Sequence, residues 1–254
     1  MFKTLPLPPE LIKHPEKPFI IAHRGDRDHA PENSMAAFRL GLAGGAHGIE
    51  TDLHLTADRQ IVCFHDEDLE RMTGVSGRVQ DKTLAELQAL RLLGNGRERY
   101  PDEKIPTLDE VLGAFKDQTY FLLELKRPSW LKADEIQILL ALLEKHDAFS
   151  RVMIASFAFE ALELVKSLSP LPTAPIIPMN PFPPAGFPLI GVWYPMLFVN
   201  PLYVWLCHRR GQYFCPLDPR PEARLWYYLR LGVDCLLSDH PAETKAALKK
   251  LKSR

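Results

Sequence analysis

Short apolar runs alternate along the chain with longer segments in which apolar residues recur at helical spacing. Eight runs have the length and boundaries expected of strands: 19–22, 48–53, 60–64, 120–125, 152–155, 174–177, 212–215 and 234–237. Helices are predicted at 34–43, 108–115 and 241–252, and Thr107 with Glu110 is typical of a capping box before the second. Strands that alternate with helices predict a parallel sheet, because parallel neighbours need crossover connections.

The length of the chain limits the number of possible folds. Its 254 residues, 46% of them hydrophobic, suffice for one large α/β domain. Eight strands in such a length favour a (β/α)8 TIM barrel that occupies residues 1–254. The polar, glycine-containing stretch 66–106 predicts a small insertion after the third strand, which would cap one end of the barrel. A doubly wound open sheet is the alternative, but the sequence has no glycine-rich phosphate loop.

Charge and cysteine content exclude several classes of protein. A formal net charge of -1 gives no overall electrostatic attraction to nucleic acid, so no nucleic-acid partner is predicted. The four cysteines lie in apolar surroundings without C-x-x-C spacing, which predicts buried free thiols: Cys63, Cys207, Cys215 and Cys235. Residues 1–18 mix prolines with charges and lack the apolar core of a secretory signal. Together these features predict a cytoplasmic protein.

One long segment carries no Asp, Glu, Lys or Arg, from Ser167 to His208. Its most apolar part, 186–207, has the length of a membrane-spanning helix. Pro188, Pro195 and Pro201 oppose that interpretation, because each removes a backbone donor and clashes with the preceding turn. We therefore predict buried strand and loop within the barrel. An apolar lip in contact with a membrane surface is the alternative.

Three carboxylates lie inside apolar strands. Glu50 and Asp52 are two residues apart and so point to the same face of their strand, and Glu124 lies in another strand. Buried carboxylates are costly unless they are paired or bind a metal. One interpretation is a set of ion pairs with Arg24 and Lys126. The other, which we favour because three acids exceed those two cations, is a site for a hard ion with oxygen ligands, Mg²⁺ or Ca²⁺.

Two histidines accompany these acids at predicted strand ends. His23 precedes Arg24, and His65 precedes Asp66. In TIM barrels the catalytic groups lie at the carboxyl ends of the strands, and two imidazoles can divide the duties of general base and general acid. Arg24 and Lys126 add cations suited to phosphate oxygens. Histidines, a divalent ion and cations together predict chemistry on a phosphate ester.

Several ordered motifs extend this pattern over nearly the whole chain: Ala22-His23-Arg24-Gly25, Ala30-Pro31-Glu32-Asn33-Ser34, Gly48-Ile49-Glu50-Thr51-Asp52-Leu53, Phe64-His65-Asp66, Arg71-Met72-Thr73-Gly74, Ile105-Pro106-Thr107-Leu108, Glu124-Leu125-Lys126, Ser156-Phe157 and Gly232-Val233-Asp234. In these motifs the chain resembles the glycerophosphodiester phosphodiesterase family. One stretch departs from it. Members often carry a Trp-Thr-Val-Asn-like run at strand seven, where this chain reads Phe214-Cys215-Pro216-Leu217-Asp218, so a wall of the pocket differs.

The resemblance implies roles for individual residues. It implies metal ligands at Glu50, Asp52 and Glu124, and catalytic histidines at His23 and His65. Phosphate would be held by Arg24 and Lys126, and the site would be supported by Glu32 or Asn33.

The resemblance also implies an activity, the metal-dependent hydrolysis of a glycerophosphodiester to sn-glycerol 3-phosphate and an alcohol, within lipid and glycerol metabolism. Two alternatives stay open. One is a lipid phosphodiesterase, similar to lysophospholipase D or sphingomyelinase D, that uses 186–207 as an apolar lip. The other is a non-enzymatic module that binds phospholipid headgroups.

Overall fold

The computed structural model describes residues 17–253. The prediction about residues 1–18 lies outside the described residues except for Lys17 and Pro18. Within 17–253 the chain forms nine strands, in chain order: β1 Phe19–His23, β2 Gly48–Leu55, β3 Ile61–Cys63, β4 Tyr120–Leu125, β5 Val152–Ser156, β6 Thr173–Ile177, β7 Leu189–Trp193, β8 Tyr213–Leu217 and β9 Cys235–Ser238.

Eight of these strands form a nearly closed parallel barrel, in the spatial order β8-β7-β6-β5-β4-β2-β1-β9. Asp234 joins the two ends of this row. Its N–H donates to the Phe214 carbonyl at 3.0 Å, and its own carbonyl accepts from Phe19 N–H at 2.9 Å. The predicted TIM barrel is confirmed.

Helices surround the barrel and fill its connections. Over the described residues they are α1 Met35–Ala43, α2 Glu70–Thr73, α3 Leu84–Gln88, α4 Leu108–Phe115, α5 Ala133–Lys145, α6 Phe159–Leu168, α7 Met196–Val199, α8 Tyr203–Arg209, α9 Leu225–Leu231 and α10 Pro241–Lys252. The predicted capping box is present at α4, where Thr107 Oγ1 accepts from Glu110 N–H at 3.1 Å.

Alternating side chains divide the core into two layers. In β1, Phe19 packs with the side chains that fill the barrel interior, whereas Ile20 packs in the layer between strands and helices. This alternation is the period of two expected of a strand. All eight residues of β2 are buried, as expected of a parallel strand covered on both faces.

One strand prediction was wrong, and one barrel strand is absent from the eight predicted runs, although the predicted total of eight barrel strands was right. The run 60–64 was assigned to the parallel sheet, but β3 pairs antiparallel with the end of β2 and lies off the barrel. β2 extends to Leu55 and turns back through Arg59, which adopts a left-handed φ of 59°. The missing barrel strand is β7, which begins directly after Pro188 and pairs parallel with β6 and β8.

The insertion after β3 packs around a small apolar cluster of its own. Phe64, Met72, Leu87 and Ile105 are among its buried members. α2 and α3 lie within this segment. Because it follows the carboxyl end of β2 through the β3 hairpin, it stands beside the end of the barrel where the candidate catalytic groups lie.

Two predictions about the apolar parts of the chain can be compared with the structure. The four cysteines are buried and free, as predicted. Among the described helices, none has the length and hydropathy needed to cross a bilayer.

Candidate active site

The carboxyl ends of β1, β2 and β4 bring the predicted site residues together. His23 ends β1 and is paired in register with Glu50 in β2, and Asp52 is paired in register with Glu124 in β4. Together with His65, which follows the β3 hairpin, they border an open cavity of about 750 Å³, except for Asp52, which lies buried beneath.

The three carboxylates converge closely. One carboxylate oxygen from each of Glu50, Asp52 and Glu124 lies within 4.8 Å of the others, and all three residues are buried. Glu50 Oε2 accepts from the Arg24 backbone N–H at 3.0 Å. Its other oxygen, Oε1, is buried and has no hydrogen-bond partner among residues 17–253. A buried, unpartnered carboxylate oxygen beside two further carboxylates is a favourable position for a cation.

Two cations already contact this cluster. Lys126 Nζ lies 3.0 Å from Asp52 Oδ1 and also contacts Glu124 Oε1. Arg24 Nε lies 3.1 Å from Asp52 Oδ2. The ion pairs that the sequence suggested as an alternative are therefore present. They leave Glu50 Oε1 unpartnered, and two cations do not balance three carboxylates.

The pKa values of the three acids reflect this imbalance. Burial, followed by the charge of Asp52, raises the pKa of Glu50 well above its ordinary value and that of Glu124 to about 7. Burial would also raise the pKa of Asp52, but Lys126 and Arg24 outweigh it and lower that pKa. Carboxylates in this arrangement stay ionised together only when further positive charge is supplied. The donor set, made of oxygens alone, fits a divalent cation such as Mg²⁺ or Ca²⁺.

Each histidine is held by a carboxylate. His23 Nδ1 lies 2.7 Å from Asp239 Oδ1, and His65 Nδ1 lies 2.6 Å from Asp66 Oδ1. Because a carboxylate accepts hydrogen bonds, Nδ1 carries the proton in both rings and Nε2 is left for proton transfer. Burial lowers the pKa of His23 and of His65, although the neighbouring acids oppose it. Burial thus favours the neutral form of both imidazoles.

Asp239 was not among the residues singled out from the sequence. It follows β9 and is 216 residues from His23 along the chain. Its position directly after a strand, at the carboxyl end of the barrel, is the signal that could have identified it.

Glu32 and Asn33 contact side chains of the site but do not line the cavity. Asn33 Nδ2 donates to Asp52 Oδ2 at 2.8 Å, and Asn33 Oδ1 accepts from the Thr51 hydroxyl at 2.7 Å. Glu32 accepts from Arg24 Nη1 at 3.1 Å and from Arg71 Nη2 at 2.6 Å. Asn33 thus orients a carboxylate of the cluster, and Glu32 fixes the Arg24 side chain.

The far wall of the cavity is apolar. It is formed by Leu122, Ile176, Leu189, Leu217 and Phe157. Cys215 also lines it, in the stretch where the resemblance led us to expect a Trp. Charged side chains at one side and apolar side chains at the other make this cavity amphiphilic.

Comparisons with known proteins agree with this geometry. Residues 23–183 match the model of the glycerophosphoryl diester phosphodiesterase family. A glycerophosphodiester phosphodiesterase of Caldanaerobacter subterraneus subsp. tengcongensis is 32% identical over 238 residues, which cover 89% of this chain and 95% of the relative. A glycerophosphodiester phosphodiesterase of Bacillus altitudinis is 30% identical over 235 residues, 87% of this chain and 94% of the relative.

The same holds for solved structures. That of an Oleispira antarctica phosphodiesterase in complex with the product sn-glycerol-3-phosphate superposes with a TM-score of 0.81 at 26% identity, over 91% of this chain and 97% of the other. With a family match over more than half of its residues, this chain belongs to the glycerophosphoryl diester phosphodiesterase family.

Proposed function

We propose that this protein is a metal-dependent glycerophosphodiester phosphodiesterase, which hydrolyses a glycerophosphodiester to sn-glycerol 3-phosphate and an alcohol. The observation that carries the proposal is the convergence of three buried carboxylates with two carboxylate-bound histidines at one end of the barrel. The free, buried cysteines support a place in the cytoplasm. The chain would act as a single domain, with 66–106 as its cap.

Glu50, Asp52 and Glu124 would hold one divalent cation, Mg²⁺ or Ca²⁺. When bound, such a cation supplies positive charge that stabilises the developing charge on a phosphoryl oxygen. Arg24 and Lys126, which already face these acids, would neutralise the phosphodiester anion. Three carboxylates, two cationic side chains, a divalent cation and a phosphodiester monoanion sum to zero charge. The set is therefore balanced only when ion and substrate are both bound.

His23 would act as the base and His65 as the acid. His23 Nε2 takes the proton of the substrate's own 2-hydroxyl as its oxygen forms a bond to phosphorus. The bond from phosphorus to the oxygen of the departing alcohol breaks, and His65 gives this oxygen a proton. The product of this first half is a cyclic phosphate. His65 must therefore be protonated at the start, which the charge of the bound phosphodiester favours. In the second half the roles reverse: His65 deprotonates a water, which opens the cyclic phosphate, and His23 returns its proton to the 2-oxygen.

Removal of divalent cations is expected to abolish turnover of glycerophosphocholine, since the acid cluster would be left without its balancing charge. Release of sn-glycerol 3-phosphate should stop in chelator and return when Mg²⁺ or Ca²⁺ is added, and the more effective ion identifies the physiological one. Turnover that persists in chelator contradicts the metal site. Binding of the diester without turnover in either ion would instead identify a headgroup-binding module.

A second candidate function is the hydrolysis of lysophospholipids, and the apolar wall of the cavity favours it. The glycerophosphoryl group is common to both substrate classes, whereas only a lysolipid has a hydrocarbon chain to pack on Leu189 and Leu217. We expect lysophosphatidylcholine to have a lower KM than glycerophosphocholine in the wild type. Leu217→Asn should remove this difference while leaving KM for glycerophosphocholine within about threefold, because the smaller diester does not need that wall. Equal KM values for both substrates in the wild type would contradict this candidate.

A further inference from the structure

Large apolar side chains are exposed on the connections that follow β7 and β8. We name this set the apolar lip; its members are between 45% and 65% exposed: Trp193, Phe198, Val199, Leu202, Trp205 and Trp226. α7 and α8 follow the carboxyl end of β7, and α9 follows that of β8. The lip therefore stands at the same end of the barrel as the candidate active site. Isolated exposed apolar residues are ordinary, but a group of this size at one place indicates an interaction surface.

Ring contacts and a hydrogen bond support the part of the lip formed by Phe198 and Trp226. Phe198 stacks on Tyr227 with ring centroids 5.2 Å apart, and Tyr227 contacts Trp226 at 5.6 Å. The Tyr227 hydroxyl donates to the Leu197 carbonyl at 2.9 Å, which ties α9 to α7. These contacts hold the exposed rings in fixed positions, so little conformational entropy would be lost when a partner covers them.

The stretch that carries Trp193, Phe198, Val199, Leu202 and Trp205 has charges of one sign. From Ser167 to Leu217 the sequence contains no Asp or Glu. The cations in that stretch, Arg209 and Arg210, come at the end of α8, and the Arg209 guanidinium lies 5.3 Å from the ring of Trp205. Tryptophan beside arginine is the composition found where proteins meet the headgroup region of a bilayer. Arginine would pair with lipid phosphates while the rings enter the acyl boundary.

The lip is connected to the candidate active site through β7. Phe157 lines the cavity and is 53% exposed, and its ring lies 5.7 Å from Lys126 Nζ. Trp193 ends β7, the strand that contributes Leu189 and Gly191 to the cavity. An amphiphile that enters from a bilayer could thus place its glycerophosphoryl group in the cavity without its chain leaving an apolar surface.

We propose that the apolar lip docks this protein on a phospholipid bilayer that contains anionic lipids, so that the active site takes amphiphilic substrates from the membrane surface. The catalytic part of this inference rests on the proposed function, but the docking does not. A second copy of the chain could also cover an apolar face, and the experiment below separates the two.

The test uses a matched pair of double variants of the full chain. Val199→Glu with Leu202→Glu places two acids on the lip. Val75→Glu with Leu131→Glu does the same at two apolar residues outside it, which are 42% and 38% exposed. Flotation with phosphatidylcholine/phosphatidylglycerol vesicles measures the partition coefficient. We expect the lip variant to bind vesicles at least about tenfold more weakly than the wild type, because apolar burial is lost and like charges repel. The control variant should bind as the wild type does.

Two further measurements make each outcome decisive. Turnover of water-soluble glycerophosphocholine should be the same in both variants and the wild type, which shows that the lip variant is folded. Brominated acyl chains should quench the fluorescence of wild-type Trp193, Trp205 or Trp226, as shown by loss of quenching when each is replaced by Phe. The proposal is overturned if the wild type does not float with vesicles. It is also overturned if sedimentation equilibrium shows a dimer that only the lip variant dissociates, without vesicle binding. Vesicle binding without glycerophosphocholine turnover would contradict the proposed function and leave docking intact.

Discussion

Replacing His65 by Ala is expected to lower turnover of glycerophosphocholine by about 10²- to 10⁴-fold, the usual contribution of a positioned acid or base. His23→Ala should lower it to a similar extent. The two variants should differ when the departing group needs no proton. On glycerophospho-p-nitrophenol, whose nitrophenolate leaves readily as an anion, His65→Ala should regain most of the lost kcat, whereas His23→Ala should stay impaired, because its base is still missing.

The structure motivates this difference between the histidines. The His23 side chain is 13% exposed and hydrogen-bonded to Asp239, whereas that of His65 is 30% exposed at the mouth of the cavity. An alcohol departs toward solvent, so the more exposed imidazole is the one placed to protonate it. His29, 52% exposed and paired with Asp26, is a matched control, and His29→Ala should keep wild-type rates on both substrates.

The opposite result would reverse the assignment. Recovery of His23→Ala on the aryl diester, with His65→Ala impaired, makes His23 the acid. Near-wild-type rates in both variants on glycerophosphocholine would remove both histidines from the chemistry. The double variant should be little worse than either single variant, because residues that act on one transition state are not additive.

The sequence predicted some strands of the barrel more accurately than others. Strand runs such as 48–53 and 120–125 were found because apolar residues between polar boundaries mark them clearly. Buried strand and loop were predicted for 186–207, but β7 could not be delimited there, because apolar loop and apolar strand look alike in a segment without charged residues. The same stretch also contains α7 and most of α8, which that prediction did not include. The orientation of 60–64 could not be read from its composition, because side-chain alternation is the same in parallel and antiparallel strands.

The proposed metal ligands and proton-transfer groups were easier to predict from the sequence than the residues that orient them. Glu50 and Asp52 stand out as acids inside an apolar strand, and His23 is adjacent to Arg24. Asp239 holds His23 from the other end of the chain, and only closure of the barrel brings the two together. The contacts of Lys126 with Asp52 and Glu124 likewise depend on the register between β2 and β4.

Two explanations of the acid cluster are possible, a metal site and a closed set of ion pairs. Their predictions differ most for the Glu50 side chain. Arg24 and Lys126 contact Asp52, and Lys126 contacts Glu124, so both explanations account for those acids. Glu50 Oε1 is buried and unpartnered. In a set of ion pairs this oxygen would only destabilise the folded protein, whereas in a metal site it would be a ligand.

Glu50→Gln is therefore expected to give opposite changes in activity and stability. Turnover of glycerophosphocholine at a fixed, subsaturating Mg²⁺ or Ca²⁺ concentration should fall at least about 100-fold, since even residues that only support metal ligands often cost 10- to 100-fold. Without metal, the free energy of unfolding should stay the same or rise, because the raised pKa of the buried Glu50 carboxyl opposes folding near neutral pH and is removed with it. Wild-type protein should gain thermal stability on addition of the ion, by mass action, and the variant should gain much less.

Calorimetric melting in chelator and in excess ion measures the changes in stability, and release of sn-glycerol 3-phosphate measures the change in activity. Glu160→Gln is the control, since its exposed side chain pairs with Arg127. That control should melt and turn over as the wild type does. If Glu50→Gln keeps wild-type turnover and wild-type stabilisation by the ion, the cluster is a set of ion pairs and the cation binds elsewhere. If the variant loses stability in chelator as well as activity, Glu50 is needed for folding, and Glu124→Gln then takes its place in the same comparison. If the cluster is a metal site, at least one of these carboxylates lowers the stability of the metal-free protein and is required for the activity of the metal-loaded protein. A bound cation explains both effects, because it turns a destabilising buried carboxylate into a ligand.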